Sequence, residues 1–416
     1  MTHSRRDFLG GALAAAGVGA ATTSGVGTDS PGSGPKIARV DTFPIVYPTV
    51  GRFKFFEGPR GEPGGRPAVL VKVTDEAGAV GWGQSVPTPR WSYETIEGVD
   101  STIRKHLAPI LIGRDPADLG GIHAAMGRAI APSFSTGQPI CKAGIDLALH
   151  DLIGKRRGAS AASGESWRRL AGGRGPGAGR VTLSWTLNPK SLDDVEGLVA
   201  KGKERGYRHF NVKVAPDPKV DLELCRIVRR LVPDGFLWAD ANGGYDEATA
   251  LEIAPKLADL GVPVLEQPLP ANRLGGYARL RRQKALPILM DEGIVSSVEL
   301  VEFIRLGLLD GVAMKPARCG GLTEAKRQVE ILREEGLMVL GSGLTDPDVS
   351  LAASLLLFDA CSLETPAALN GPQFLEGSVL KDPFVVSEGT LRVPEGPGLG
   401  VEVDESKIGR LAVKLG

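Results

Sequence analysis

From Arg180 onward, short apolar runs alternate with longer amphipathic runs along the chain. The short runs are rich in β-branched and aromatic residues, which predicts strands, and the long runs have the spacing of helices. The predicted strands comprise residues 181–187, 209–214, 236–240, 263–266, 287–291, 311–315, 338–342 and 361–364. Strands that alternate with helices are typical of βα units around a parallel sheet.

The run SLDDVEGLVAKGKERG illustrates the predicted helices. Ser191 is suited to the N-cap, acidic residues follow in the first turn, and Gly206 ends the run. Eight strands with seven intervening helices favour an α/β fold of the TIM-like type, a (β/α)7β barrel. A doubly wound open sheet is the alternative, which is disfavoured because no glycine-rich phosphate motif follows an early strand.

The part of the chain before the predicted barrel has a different pattern. Residues 66–86 alternate apolar and polar positions around a turn at 76–78, which predicts an antiparallel hairpin, and two amphipathic helices follow at 94–113 and 143–158. We predict an N-terminal α+β capping domain that the C-terminal segment completes, since the β-like pieces of that segment are too few to fold alone. The predicted organisation is a signal and linker at 1–35, the capping domain at 36–150, the barrel at 151–370 and the returning segment at 371–416.

The first residues resemble a twin-arginine export signal. Arg5 and Arg6 precede an uncharged, mildly apolar run at 10–23, which is shorter than the about 20 residues of a membrane span. Small residues near Ala20 are suited to cleavage, and residues 22–35 have the composition of a flexible linker. We expect export of the folded protein; the alternative is a cytoplasmic protein whose tail contains a chance arginine pair.

The composition narrows the classes of function. The 416 residues include 49 basic and 49 acidic side chains, so the chain lacks the basic excess that indicates nucleic-acid binding. Four widely spaced cysteines form no CxxC pair, which argues against a zinc site and against a disulfide framework. We expect a small-molecule partner, no membrane span and a homo-oligomer.

Five charged residues end five successive predicted strands. They are Lys213, Asp240, Glu266, Asp291 and Lys315, and they lie 24 to 27 residues apart, one βα unit at each step. In a barrel of this kind, side chains at the carboxyl ends of the strands converge on one open mouth. We therefore expect all five side chains to face the same site.

The three carboxylates predict a metal site. A single strand-end carboxylate is usually structural, but three in succession would repel one another unless a cation lay between them. Oxygen-only ligands match Mg²⁺, and no histidine or cysteine ends these strands, which argues against zinc. We predict that Asp240, Glu266 and Asp291 bind Mg²⁺.

The two lysines flank the carboxylates in sequence order, so a closed barrel would place them on opposite sides of the metal. A lone strand-end lysine is more often a salt-bridge partner than a base. A metal and a second cation nearby should lower the pKa of each lysine, as a general base requires. Lys213 and Lys315 are therefore suited to removing a proton α to a carboxylate through an enediolate.

Several segments, in the expected order, resemble the enolase superfamily and, within it, the muconate lactonising subgroup of the mandelate racemase/muconate lactonising enzyme family. The similarity extends over about residues 36–416 and is carried by VGWGQSVP, AGIDLALHDLIGK, DAN at 240–242, LEQP, MDEG, MKPARCGGLTEA and PGLGVEVD. The resemblance implies Mg²⁺ at the three carboxylates and an acid/base pair formed by Lys213 and Lys315.

Three positions depart from the family pattern. The family usually has Lys-x-Lys at the end of the second barrel strand, whereas this chain has Asn211 before Lys213, so Lys213 should be more basic than the family's base. Gln84 stands where a glutamate is common. The run ALNG at 368–371 lacks the Asp-x-Asp of dipeptide epimerases, which argues against a dipeptide substrate.

We expect the first domain to select the substrate by closing over the mouth. The glycine-rich segment 51–66 carries aromatic and basic residues, including Phe55 and Arg60, and is interpreted as a mobile lid; an ordinary surface loop is the alternative. Further neighbours of the metal or the substrate are predicted at Asn211, Asn242, Glu292, Ser342 and Glu364.

The sequence thus predicts a Mg²⁺-dependent enzyme that removes the α-proton of a carboxylate. Racemisation or epimerisation is the first hypothesis, because lysines on both sides allow removal on one side and return on the other. Cycloisomerisation or elimination of water is the alternative, since either uses the same enediolate and one lysine. A non-catalytic binding protein is a further alternative, which the retention of both lysines disfavours.

Overall fold

The computed structural model describes residues 34–57, 64–132, 135–175 and 177–415. The predicted export signal, most of the linker and Arg60 lie outside these described residues. Within the described part of the chain, no helix is long and apolar enough to cross a membrane.

Strands and helices alternate regularly after an initial three-stranded region. The strands are β1 Ile37–Tyr47, β2 Arg66–Asp75, β3 Val80–Ser85, β4 Arg180–Thr182, β5 Ser184–Leu187, β6 His209–Lys213, β7 Leu237–Asp240, β8 Leu265–Glu266, β9 Ile288–Met290, β10 Gly311–Met314, β11 Met338–Gly341 and β12 Thr390–Arg392. The α-helices are α1 Pro89–Ser92, α2 Ile96–Thr102, α3 Ala108–Leu111, α4 Leu119–Ala129, α5 Pro139–Arg157, α6 Glu165–Arg168, α7 Val195–Glu204, α8 Pro218–Leu231, α9 Glu247–Asp259, α10 Leu274–Gln283, α11 Ser297–Arg305, α12 Leu322–Glu334, α13 Asp348–Ala360, α14 Gly371–Phe374 and α15 Glu405–Leu411. A π-helical turn at Ile103–Leu107 joins α2 to α3, and 3₁₀ turns lie at Arg169–Ala171 and Leu192–Asp194.

The first three strands form an antiparallel sheet in the order β1-β2-β3, which confirms the predicted hairpin. Helix α5 packs closely across this sheet because β3 has glycines at the contact. A Cβ atom on Gly83 would lie 1.9 Å from the carbonyl oxygen of Gly144, and one on Gly81 would lie 2.1 Å from that of Ala148. The sequence VGWGQ therefore combines a strand with the close approach of a helix.

Strands β5 to β11 form a seven-stranded parallel sheet in sequence order, which builds a barrel-like domain. The eighth predicted strand, 361–364, is wrong: this stretch is a turn in which Ser362 has a φ of 46°. Ala367 and Ala368 lie in that position instead, with parallel bridges to Leu183 and Ser342 at the two outer strands of the sheet.

The C-terminal segment contacts both parts of the chain. Strand β12 pairs with β4 just before the parallel sheet begins, whereas the apolar run FVVSE at 384–388 of the same segment forms no strand. Leu375 forms a bridge to Thr49, and Ala412 forms a bridge to Ile45 of β1. These contacts connect the end of the chain to the first sheet.

Candidate active site

The register of the parallel sheet aligns the predicted site residues. Lys213 lies beside Asp240, and Asp240 lies beside Glu266, at the ends of β6, β7 and β8. Asp291 and Lys315 follow directly after β9 and β10. Residues at one level of neighbouring parallel strands point to the same side, so these charged side chains meet at the carboxyl end of the sheet.

Three of these side chains form a cluster of acids. Asp240, Glu266 and Asp291 are buried, and each contributes one carboxylate oxygen that lies within 4.8 Å of the other two. Glu266 Oε2 accepts a hydrogen bond from Trp238 Nε1 at 2.8 Å, whereas Glu266 Oε1 is buried and has no partner among the described residues. A buried oxygen without a hydrogen-bond partner is energetically costly. These three carboxylates are therefore suited to bind a divalent cation that prefers oxygen ligands.

The surroundings of Glu266 and Asp291 shift the pKa values of these two acids in opposite directions. Burial and the charges of Asp240 and Asp291 raise the pKa of Glu266 well above its usual range. Burial also opposes ionisation of Asp291, but the charges of Arg318 and Lys315 outweigh it and lower the pKa of Asp291 to about 2. Lys315 Nζ donates to Asp291 Oδ2 at 2.6 Å, and Arg318 donates to the same carboxylate.

The two lysines pair with the outer members of this cluster. Lys213 donates to Asp240, as Lys315 does to Asp291. Burial lowers the pKa of Lys213, but the charges of Asp240 and Glu266 outweigh burial and raise it. The protein groups alone therefore do not lower the pKa of Lys213, because the carboxylates around it favour its charged form.

Aromatic side chains of the capping domain cover the mouth. The ring centroid of Trp91 lies 4.5 Å from Lys315 Nζ and 5.5 Å from Lys213 Nζ, and Trp91 Nε1 donates to Glu292 Oε1 at 2.7 Å. Phe55 stacks on Trp91 with ring centroids 4.4 Å apart. Beside it, burial and the charge of Lys213 lower the pKa of Lys54 to about 8. Sequence reasoning missed Trp91, whose only signal was an aromatic residue outside the predicted strands and helices.

Two of the remaining predicted residues join the network of the mouth. Asn242 donates from its backbone to Asp240 Oδ1 at 3.0 Å and from Nδ2 to Glu292 Oε1 at 2.9 Å. Burial and the charge of Asp291 raise the pKa of Glu292 to about 7. Asn242 and Glu292 thus connect the acid cluster to Trp91.

Asn211 and Ser342 are also buried on the sheet. Asn211 Oδ1 accepts hydrogen bonds from the hydroxyls of Ser184 and Thr186, each at 3.0 Å. Ser342 follows directly after β11, where it bridges to Ala368. Asn211 therefore has a polar environment on its own side of the sheet in place of a second lysine.

The structure corrects the predicted role of Glu364 and the predicted extent of the lid 51–66. Glu364 is exposed, pairs with Arg174 at 2.5 Å and lines a cavity with His209, the first residue of β6, so it lies at the opposite end of the sheet from the mouth. Its predicted substrate contact was wrong because no strand forms at 361–364. Arg66 of the predicted lid is fully buried and donates to backbone carbonyls of Val86 and Pro87, so it serves the fold.

Comparison with protein families identifies both parts of the chain. Residues 194–407 match the model described as enolase C-terminal domain-like, and residues 60–163 match the mandelate racemase/muconate lactonizing enzyme N-terminal domain. A chloromuconate cycloisomerase of Cupriavidus necator is 32% identical over 82% of this chain and 90% of its own length. An N-succinyl-L-Arg/Lys racemase of Bacillus cereus is 29% identical over 83% of this chain and 90% of its own length.

Solved structures show the same architecture. The muconate lactonizing enzyme of Pseudomonas putida superposes with a TM-score of 0.79 at 27% identity, covering 91% of this chain and 100% of that one. A 2-chloromuconate cycloisomerase of Rhodococcus opacus gives a TM-score of 0.79 at 28% identity, covering 91% and 99%. The similarity therefore includes the capping domain and the barrel-like domain together.

Proposed function

Because this chain belongs to the mandelate racemase/muconate lactonizing enzyme family of the enolase superfamily, we propose that it catalyses proton transfer at the carbon α to a substrate carboxylate. It is an enzyme, an isomerase or lyase of that superfamily. One observation carries the proposed reaction: two buried lysines each bond to a different outer member of the acid cluster.

Asp240, Glu266 and Asp291 would hold a Mg²⁺ ion. The ion would supply electrostatic stabilisation for the negative charge that develops on the substrate carboxylate. Within the protein, Trp238 orients Glu266, while Arg318 keeps Asp291 ionised. The fold thus presents three acids whose oxygens are held by separate partners before any substrate binds.

Lys213 and Lys315 act as the two bases. Each Nζ is held at its own side of the acid cluster, so one removes the α-proton and the other delivers a proton to the opposite face of the enediolate. Racemisation or epimerisation follows directly from this arrangement. Lys54 and the stacked Phe55 and Trp91 cover the mouth, where they exclude water and contact the rest of the substrate.

Cycloisomerisation is the second candidate, and the similar proteins favour it. Both the Cupriavidus necator relative and the Pseudomonas putida structure are named for cyclisation of muconates. That reaction also places charge α to a carboxylate and needs one lysine to handle the α-proton. The two candidates therefore share the site and differ in whether the second lysine transfers a proton.

Proton NMR in deuterated water with added Mg²⁺ separates the two reactions. N-succinyl-L-arginine and muconate serve as probes, since similar proteins are named for them. Loss of the α-proton signal without a new product supports racemisation, and the inverted enantiomer should accumulate. Lactone formation from muconate without exchange at N-succinyl-L-arginine identifies a cycloisomerase instead. Binding of either probe without any exchange or product would favour the non-catalytic alternative.

A further inference from the structure

Two histidines and an aspartate form a partly buried cluster between the capping domain and the barrel-like domain. His123 Nε2 of α4 lies 2.6 Å from Asp146 Oδ1 of α5. One turn further along α5, His150 Nε2 lies 3.0 Å from Thr323 Oγ1 of α12 and 3.8 Å from Asp146 Oδ2. Thr323 Oγ1 donates to Asp146 Oδ1 at 2.5 Å. Asp146 is thus the centre of contacts that join three helices.

Asp146 also packs against the turn that precedes α12. Gly321 in this turn has a φ of 100°, and a Cβ atom there would lie 2.2 Å from Asp146 Oδ2. The backbone N–H of Thr323 donates to the same oxygen at 3.2 Å. Only glycine fits at this contact, so the carboxylate fixes where the turn ends.

The same turn begins at Lys315. The backbone N–H groups of Arg318 and Cys319 donate to the carbonyl of Lys315 at 3.0 and 3.3 Å, and that of Gly321 donates to Pro316 at 2.9 Å. Residues 315–321 therefore form one hydrogen-bonded unit. Its first residue, Lys315, bonds to Asp291, and its last residue, Gly321, rests on Asp146.

We propose that the cluster of His123, Asp146 and His150 is a pH-responsive joint that positions Lys315 through the turn 315–321. The assignment of Lys315 as a base rests on the function proposed above. Asp146 is then a positioning residue, because it acts on the reaction only through the turn. The proton state of His123 sets how firmly Asp146 is held against Gly321.

The charges around the cluster give the direction of the response. Burial lowers the pKa of His123, but the hydrogen bond and charge of Asp146 outweigh burial and raise it; Glu324 of α12 adds to the rise, and Lys142 of α5 opposes it. Burial lowers the pKa of His150; the charge of Asp146 opposes this lowering but does not cancel it, and the charge of His123 adds to it. From the turn, the Cys319 thiol also faces Asp146 and Glu324, and burial raises its pKa well above the usual range.

The two histidines therefore stabilise the cluster over a limited pH range, in which His123 sets the upper limit and His150 sets the lower limit. The stabilisation from His123 is complete below its unfolded pKa of about 6.5 and is lost as the pH rises through its higher folded pKa. The stabilisation from neutral His150 is complete above about 6.5 and is lost as the pH falls through its lower folded pKa. Between the two folded pKa values, a charged His123, an ionised Asp146 and a neutral His150 hold the turn.

Cysteine-selective labelling tests the joint without any substrate. Protein labelled with ¹⁵N-cysteine gives amide signals for the four cysteines, of which Cys319 lies in the turn and Cys225 and Cys361 lie in α8 and after α13. We expect the Cys319 signal to shift with pH at the midpoint of the His123 imidazole, and this shift to vanish in His123→Gln. A Cys319 signal that is constant through the His123 titration, or that still moves at that same midpoint in His123→Gln, would overturn the joint.

Enantiomer-resolved exchange tests the positioning of Lys315. Asp146→Asn should reduce exchange of the N-succinyl-arginine enantiomer that depends on Lys315 about tenfold more than exchange of the enantiomer that depends on Lys213. Asp151→Asn is the matched control, since Asp151 is buried on the same helix but holds the backbone of Trp82 and Leu399. Equal losses for both enantiomers, in Asp146→Asn as in Asp151→Asn, would show a purely structural role.

The two measurements separate the joint from the reaction. Absence of exchange by the unaltered enzyme counts against the proposed function and leaves the Cys319 titration as the test of the joint. Should Asp146→Asn fail to fold, His123→Gln provides the same comparison of enantiomers, with the Lys315-dependent one losing its pH response.

Discussion

The side chains at the mouth divide into those that would hold a cation and those that would hold a proton. Replacing Asp240, Glu266 or Asp291 by alanine should sharply reduce both Mg²⁺ affinity and activity, because each removes a carboxylate from the cluster. Lys213→Ala and Lys315→Ala should leave Mg²⁺ binding intact while each abolishes exchange from one enantiomer. Calorimetric Mg²⁺ titration with enantiomer-resolved exchange measures both effects. Full activity in excess chelator would contradict the metal assignment.

Substitution of Asn211 should change the pKa of Lys213 while Lys213 itself is retained. Residues 211 and 213 point to the same side of β6, so a lysine at 211 would place a second ammonium beside Lys213 and lower its pKa. Asn211→Lys should move the acid limb of Lys213-dependent exchange to lower pH by about one unit, and Asn211→Asp should move it higher. The change should also cost about 1–3 kcal/mol of stability, because the Ser184 and Thr186 hydroxyls lose their acceptor. An unshifted pH profile in both variants would show that Lys213 does not limit the rate.

Some residues of this site could be predicted from the sequence, and others could not. Lys213, Asp240, Glu266, Asp291 and Lys315 recur at the length of one βα unit, so their convergence was predictable. The positions of Trp91 and Arg318 were not predictable, because one lies in a four-residue helix and the other in a turn, and tertiary packing decides where both lie. Glu364 was misplaced for the same reason: its position depended on a strand that does not form.

At the scale of elements, the short helix α1 joins the capping domain to the mouth through Trp91. Trp91→Phe keeps an aromatic ring over the lysines but removes the N–H that Glu292 accepts. Above pH 7, where Glu292 is ionised, a hydrogen bond to this charged group contributes about 1.5–3 kcal/mol, so kcat/KM should fall about tenfold or more there. Trp185→Phe is the control, since Trp185 is buried and its N–H has no partner among the described residues. Similar losses in both variants would contradict a specific role for the Trp91 contact.

The predicted strands and helices matched the structure where the periodicity of apolar residues and the turn residues indicated the same element. The hairpin of β2 and β3 and the seven parallel strands matched the predictions because alternation or short β-branched runs lie between clear helix signals. The prediction of a strand at 361–364 failed because apolar residues such as Cys361 and Leu363 occur in a turn as readily as in a strand. Strand β8 has only two residues. The position of Glu266 therefore depends mainly on the pairing of these two residues with β7 and β9.

At the scale of the whole molecule, cation binding should be coupled to folding. The acid cluster draws its members from β7, β8 and the residue after β9, so a bound ion joins three parts of the sheet that separate on unfolding. Mg²⁺ at a hundred times its dissociation constant should therefore raise the free energy of unfolding by about 2.7 kcal/mol. This gain should depend on pH, because Glu266 must lose its proton to bind an ion.

The raised pKa of Glu266 determines the direction in which stability changes with pH. In the absence of Mg²⁺, stability should fall as the pH rises from the unfolded pKa of about 4.3 to the folded pKa, because the buried carboxyl must ionise. Mg²⁺ should offset this loss above the folded pKa and have little effect below it. Thermal unfolding followed by circular dichroism across pH, with and without Mg²⁺, measures the difference between the two curves. Glu266→Gln is the control, because its amide does not titrate and should leave both curves together. An equal Mg²⁺ effect at acidic and alkaline pH would show that the ion binds elsewhere than beside Glu266.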